Sequence, residues 1–306
     1  MPRGMSRGKP LYPGGGRRKV GTYLQGMPAR LLDPESKLYS LWRCEQSLMS
    51  VGINGRANGY HKAIADGDDV SGMLTIPGAP FGVNANPPAT ANPDIPRYDA
   101  AEKSCFFNNA GTKWGVKTEV NPETAYFRFP STYKDDDVIT GATLALSFRL
   151  VSPAGAIQPF FGNKALGIGG GFYLQVQPAL TDNPGKAGIE FVTYDATTPV
   201  AASFETDRLE FVWPEDEDPH ELAVICSRVD DLTIHTKMYF DRQLVAESDM
   251  TRGDLFYVSS FLYIGSDGDD FTYGLNAQVY GWLLALAPVP LPEITAAMDW
   301  VNKRPG

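Results

Sequence analysis

The 306-residue chain has few of the residues that usually identify an enzyme or a secreted scaffold. It has only three cysteines, Cys44, Cys105 and Cys226, which are too few and too scattered for a disulfide framework or a zinc knuckle. Cys226 sits within an apolar strand pattern and reads as a buried thiol. Only three histidines occur, His61, His220 and His235, without ligand spacing, so structural roles are expected for them. No run of 18 apolar residues is present, so no membrane-spanning helix is expected. The first 20 residues are Gly, Pro and basic, without the apolar run of a signal peptide, and the N-x-[ST] sequon is absent. Synthesis in a cytoplasm without export by the usual route is the expectation that follows.

What is abundant is turn chemistry and charge asymmetry. Thirty-one Gly and 24 Pro in a chain of 43% hydrophobic content argue for many turns around a sizeable core, hence an all-β protein. Residues 1–30 carry Arg3, Arg7, Lys9, Arg17, Arg18, Lys19 and Arg30 and no acid, giving +7. The rest carries 20 basic and 36 acidic side chains, giving −16 and a net −9. A basic Gly/Arg-rich arm on an acidic body reads as an interaction tail. It lacks the interleaved aromatics of a nucleic-acid platform, so an acidic protein surface is the better match for it.

Three regions are expected: the arm at 1–30, an extended loop-rich segment at 31–100, and a β-sandwich at 101–306. In the second, Leu38, Leu41, Trp42, Glu45 and Leu48 fall near helical spacing. With Asp33 as N-cap and Pro34 at N1 they predict a helix over Pro34–Ser50. Val51–Asp99 is rich in Gly and Pro, with a short strand near Met73–Ile76. From Lys103 onward, strands are predicted at Ala125–Phe129, Thr143–Leu150, Phe172–Gln177, Ile189–Tyr194, Ala201–Glu205, Leu222–Cys226, Thr233–Phe240 and Leu244–Ala246. In Thr233–Phe240 the apolar Ile234, Met238 and Phe240 alternate with polar residues, as in a half-buried antiparallel strand. Gly162–Gly171 lacks the Lys and Ser/Thr of a phosphate loop and reads as a hairpin connection.

The closing stretch is the most informative. Phe261–Ile264 reads as a strand stopped by Gly265, followed by the acidic turn Ser266–Asp270. Leu275–Ala287 is apolar on both faces and so is expected to be buried on both. Leu275, Ala277, Val279, Leu283 and Ala285 are expected on one side and Tyr280, Trp282, Leu284 and Leu286 on the other, with a bend at Gly281. Pro288, Pro290 and Pro292 end it. Ile294, Ala297, Met298 and Val301 then predict a short amphipathic helix.

This order resembles the end of a concanavalin A-like, laminin-G-like jelly roll. Tyr263-Ile264-Gly265, Gly274–Tyr280 and the Leu291–Trp300 tail carry the likeness. Phe172–Val176, His220–Val224 and Met238–Ala246 add to it upstream. Arg242 stands where that family has a turn glycine, a departure that argues against a tight two-residue turn there. The resemblance implies a two-sheet sandwich and, from the fold's common uses, glycan binding or calcium at a loop rim.

For glycan binding the candidates are Trp213, Asp269, Phe271 and Tyr273, able to stack on a sugar ring or fix hydroxyls. For calcium they are Asp267, Asp269 and Asp270, against a plain turn. A hydrolase would need two facing carboxylates. The run Glu215–Glu221 is the nearest source, but Pro214 and Pro219 break any ladder there, so a solvated loop is expected and no catalytic residue is assigned. Together these features suggest a non-enzymatic structural component of a virus particle. A bacteriophage capsid-decorating or tail-associated protein fits best, located in the virion, homo-oligomeric, held to other virion proteins by its arm and able to bind glycans. A free lectin or host adhesin is the alternative, and a glycan hydrolase a more distant one.

Overall fold

The computed structural model describes residues 39–45, 49–52, 61–63, 65–67, 72–74, 80–81, 97–108, 116–119, 141–151, 155–162, 171–194, 205–214, 216–230, 233–251, 261–265, 274–285 and 287–303. The strands in the first part of the chain are β1 (Tyr39–Arg43), β2 (Met49–Gly52), β3 (His61–Ala63), β4 (Gly72–Leu74), β5 (Pro80–Phe81), β6 (Arg97–Asp99), β7 (Ser104–Asn108) and β8 (Val116–Glu119). Then come β9 (Gly141–Leu150), β10 (Gln158–Gly162), β11 (Gly171–Gln177), β12 (Gly188–Tyr194), β13 (Glu205–Val212), β14 (His220–Arg228), β15 (Thr233–Phe240) and β16 (Gln243–Thr251). β17 (Phe261–Ile264), β18 (Asn276–Ala285) and α1 (Leu291–Asn302) close the chain.

Two antiparallel sheets form a jelly-roll sandwich. The larger has eight strands in the order β16-β15-β14-β9-β18-β7-β6, with β1 also paired to β18. The smaller runs β13-β12-β11-β10-β17-β8. A separate four-stranded ribbon, β3-β2-β4-β5, comes from the Gly- and Pro-rich segment. Phe148 and Trp282 of the large sheet meet Phe160, Phe161, Phe172 and Phe191 of the small one in the dry core between the sheets. The aromatic contacts between the sheets include Phe148 edge-on to Phe160, with ring centroids 4.5 Å apart.

The predicted helix over Pro34–Ser50 is not present: β1 and β2 occupy the described part of it. β18 explains why. Its N-terminal half pairs with β7 on one edge, which leaves the same edge of its C-terminal half open. Tyr39–Arg43 fills that edge from Ala285 to Gly281 and satisfies its backbone groups. A partner edge outweighs a short run of helical spacing.

The large sheet is covered on its outer face by α1. Ile294, Ala297, Met298 and Val301 are buried there, as their spacing predicts, against Leu41, Ala145 and Leu283. Buried hydroxyls on β9 hold both ends of this cover. Thr143 Oγ1 donates to the Ala287 carbonyl (2.8 Å) and accepts from Val289 N (2.9 Å). Ser147 Oγ donates to Asn302 Oδ1 at 2.8 Å. The buried Arg43 guanidinium lies 4.2 Å over the Trp300 ring and donates to the Trp300 carbonyl, near the helix end where a cation is favoured.

β18 is buried on both faces, but its faces differ from a simple alternation. Leu275, Ala277 and Val279 point into the sandwich, and then Trp282 and Leu284 do, while Tyr280, Leu283 and Ala285 face the helix. The switch is a bulge between Val279 and Gly281 in the pairing with β9. One extra residue inverts every side chain beyond it.

The remaining strands fall close to their predicted places, with two differences. Of the strand expected at Ala201–Glu205 only Glu205 lies within the described residues, where it opens a strand over Glu205–Val212, and the one expected at Leu244–Ala246 runs from Gln243 to Thr251. β10 and β11 pair antiparallel, as a hairpin connection over Gly162–Gly171 requires. The strand expected at Ala125–Phe129 lies outside the described residues. Cys44, Cys105 and Cys226 are all buried free thiols. Burial pushes each thiol up, Cys226 to about 12.

Candidate functional site: a polar cleft at the bulge

A cleft of about 330 Å³ opens where four features of the large sheet converge. Its lining is Ser147 of β9, Pro219, His220 and Glu221 at the start of β14, Asp241 and Arg242 between β15 and β16, Tyr280 of the bulge, and Asn302 at the end of α1. The bulge turns Tyr280 out of the sandwich core and into this wall.

Asp241 and Arg242 form the two-residue turn that Arg242 argued against. Their φ values are 48° and 69°, both left-handed, as a type I′ hairpin requires. Arg242 accepts this conformation while bound to two carboxylates. Nε donates to Glu221 Oε2 (2.7 Å), and Nη2 donates to Glu221 Oε1 (2.8 Å) and Asp299 Oδ1 (2.7 Å). Glu221 Oε1 also accepts from Asn302 Nδ2 at 2.8 Å. A hydrogen-bonded chain thus runs from Ser147 through Asn302, Glu221 and Arg242 to Asp299, tying strand, helix end and turn together. The Glu221 hydrogen bond, then that of Asp299, raises the guanidinium pKa against its partial burial.

His220 forms the other wall. Its ring packs against Phe240, Trp213 and Phe148 with centroids 4.6, 5.2 and 6.3 Å away. Both nitrogens meet carboxylates, Nδ1 at 2.8 Å from Asp241 Oδ2 and Nε2 at 2.5 Å from Asp216 Oδ1. Burial, the largest single influence, pulls its pKa down, but the two carboxylates together outweigh it and the pKa ends above its usual value. The hydrogen bond from His220 holds Asp216 below the usual carboxylate range. Asp241 Oδ1 also accepts from Glu221 N at 2.9 Å, so this single carboxylate fixes both the turn and the ring.

A second polar cluster lies on the small sheet. Glu190, 1% exposed, accepts from Gln175 Nε2 (2.6 Å) and Gln177 Nε2 (2.5 Å) and pairs with Arg208 at 2.9 Å. Glu190 stands opposite Glu210 on the neighbouring strand, a repulsive register that Arg208 offsets. Glu210 in turn accepts the backbone N–H groups of Thr181 and Asp182, so this cluster is spent on holding the β11–β12 connection.

Of the residues singled out from sequence, Trp213 is 3% exposed and its ring is packed among His220, Phe148 and Phe240. It supports the cleft wall from inside the core and offers no face to a sugar. Asp267, Asp269, Asp270, Phe271 and Tyr273 lie outside the described residues, as do Arg3, Arg7, Lys9, Arg17, Arg18, Lys19 and Arg30. Among the described residues no group of three or more His, Cys, Asp or Glu side chains could hold a metal. In the acidic run, Glu217 and Asp218 are exposed, as a solvated loop implies, while Asp216 and Glu221 are engaged as described above. Ser147, His220, Asp241 and Asn302 are brought together from four separate elements, which no local motif could announce. The nearest local signal was Asp216 and His220 at i and i+4.

No protein-family model and no curated protein matches the chain. Among solved structures, the carbohydrate-binding module CBM40 of the Ruminococcus gnavus IT-sialidase aligns with 61% of this chain and 94% of its own. The TM-score is 0.40 and the identity 14%. A Trypanosoma rangeli sialidase aligns over 85% of this chain and 38% of its own, at TM-score 0.42 and 14% identity. The receptor-binding domain of the botulinum neurotoxin C/D mosaic serotype aligns over 61% and 40%, at TM-score 0.39 and 8% identity.

Proposed function

We propose that the protein is a non-catalytic, lectin-like module that holds a glycan in the cleft between Ser147, Glu221, Arg242 and Asn302. The cleft itself carries this reading. Its volume lies at the lower end of ligand pockets, roughly 300–1,000 Å³, suited to one or two sugar rings. Hydroxyl, amide, carboxylate and guanidinium groups line it, and each is fixed by its neighbours before any ligand arrives. A glycan array tests it. Wild-type protein should bind selectively, and Asn302→Trp, which places an indole over the mouth from an exposed helix end, should abolish binding in a protein that still folds by circular dichroism, with a melting temperature lowered by loss of the bonds to Ser147 and Glu221. An Asn302→Trp profile identical to wild type would remove the cleft from the account. A hydrolase reading predicts glycan turnover lost in Glu217→Gln; we expect no turnover in either protein.

A second reading concerns setting and rests on charge. The +7 leader and the −16 remainder suit a chain anchored through its arm to an acidic lattice, with a virus particle the best fit. Protein lacking residues 1–30 should then fail to join its assembly, and normal incorporation of the truncated chain would end that reading.

A further inference from the structure

We infer that the cleft selects hydroxyl-rich ligands that are uncharged or carry a protonated amine, and turns away anionic sugars. This deepens the glycan-binding reading above and rests on it. Among the described residues, the charged side chains that line the cleft or bond directly to its charged lining are Asp216, Glu221, Asp241 and Asp299 against the guanidinium of Arg242. Four carboxylates and one guanidinium leave three uncompensated negative charges, or two when His220 is protonated. The cation is already partly engaged, since three of the five Arg242 N–H groups, on Nε and Nη2, go to Glu221 and Asp299. A ligand carboxylate would therefore have to compete with two existing ion pairs for that one cation.

Hydrogen-bond capacity points the same way. Ser147 donates its one hydroxyl hydrogen to Asn302, and one of the two Asn302 N–H groups goes to Glu221, so most of this donor capacity is committed inside the wall. Carboxylates only accept, and each oxygen has two lone pairs. Glu221 Oε2 accepts Arg242 Nε, and Asp241 Oδ1 accepts Glu221 N, so capacity to accept remains at both groups. The cleft is thus richer in acceptors than in donors. Sugar hydroxyls can supply donors, an ammonium supplies three, and a sugar carboxylate supplies none. The Glu221 side chain is only 16% exposed, which limits screening of its charge and sharpens discrimination by sign.

Calorimetric titration of the full chain with three trisaccharides tests this: chitotriose with free amines, its fully N-acetylated form, and sialyllactose. The expected order of affinity is amine, then acetylated, then sialylated, with about a tenfold or larger gap between the first and last at low salt. That gap should shrink at roughly 0.5 M salt and in Glu221→Gln, which keeps the side-chain size. Sialyllactose binding tightest, or an amine preference unchanged in Glu221→Gln, would overturn the inference and leave glycan binding standing. Binding of none of the three, with other array glycans still blocked by Asn302→Trp, would likewise overturn the inference alone. Absence of binding to any glycan would remove the reading beneath it as well.

Discussion

Arg242 sits in a backbone conformation that glycine adopts freely and arginine does not, and replacing it separates stability from binding. At φ 69° a residue with a Cβ costs about 1–2 kcal/mol. Arg242→Gly relieves that strain. It also frees the unfolded chain, at a cost of about 0.4–1 kcal/mol, and removes the pairs with Glu221 and Asp299. Arg242 is 42% exposed and Asp299 49%, while Glu221 is only 16% exposed, so the Asp299 pair is the weaker and each contributes about 0.2–1 kcal/mol. The sum places Arg242→Gly between about 1 kcal/mol above and about 2 kcal/mol below the wild type. Arg242→Ala loses the same pairs and keeps the strain, so it should lie below Arg242→Gly by about 0.5–1.5 kcal/mol. Urea unfolding followed by far-UV circular dichroism reads both differences from the midpoints at constant slope. Both variants should lose glycan affinity, because Glu221 loses the partner that aims it. An alanine variant as stable as the glycine variant would refute the claim that the turn is strained. A glycine variant that binds as tightly as wild type would refute the claim that Arg242 is held there for the site.

Three further outcomes are expected. Gly265→Ala should cost about 2–4 kcal/mol, since the residue has φ 75° and a Cβ there would lie 2.6 Å from the Phe107 ring. Part of that loss should disappear in a Phe107→Leu background, and strict additivity in the double-mutant cycle would count against the overlap. Thr143→Val should cost about 2 kcal/mol in chemical denaturation by stranding the Val289 N–H beneath the helix connection, and a neutral result would show that the staple is dispensable. The clasp of His220 with its two aspartates should add stability that is complete below the ordinary histidine value of 6.5 and is lost as pH rises through the raised folded value. Asp216 adds stability that is complete above its ordinary 3.8 and is lost as pH falls through its lowered folded value. The difference in melting temperature between wild type and His220→Gln should therefore be widest between these two values and narrow toward alkaline pH. A difference that widens there would reverse the assigned sign.

Legibility in the sequence followed from how local each cause is. Leu275–Ala285 and Ile294–Val301 were readable because a doubly apolar strand and a 3.6-residue apolar stripe need no partner to be recognised. The alternation in Thr233–Phe240 was readable for the same reason, and burial in β15 alternates at every residue. β1 was not readable, because its conformation is imposed by an edge of β18 more than 230 residues away in sequence. The inversion of faces past Val279 was also hidden: Gly281 signalled a bend, but the extra residue shows only in the pairing with β9. The cleft depends on both. It needs the bulge to present Tyr280 and the helix end to present Asn302, and neither position carries a motif. Trp213 was open to either role, because one aromatic before a proline looks the same whether it caps a core or faces solvent.

The most direct test of the account follows backbone amides by NMR while a neutral or amine-bearing oligosaccharide is added to the full chain. Saturable shifts concentrated at Glu221, Asp241, Arg242 and Asn302 are expected, with the amides of Gln175 and Glu190 on the opposite sheet unmoved. Saturable shifts confined to that opposite sheet, or a spectrum that no glycan perturbs, would contradict it.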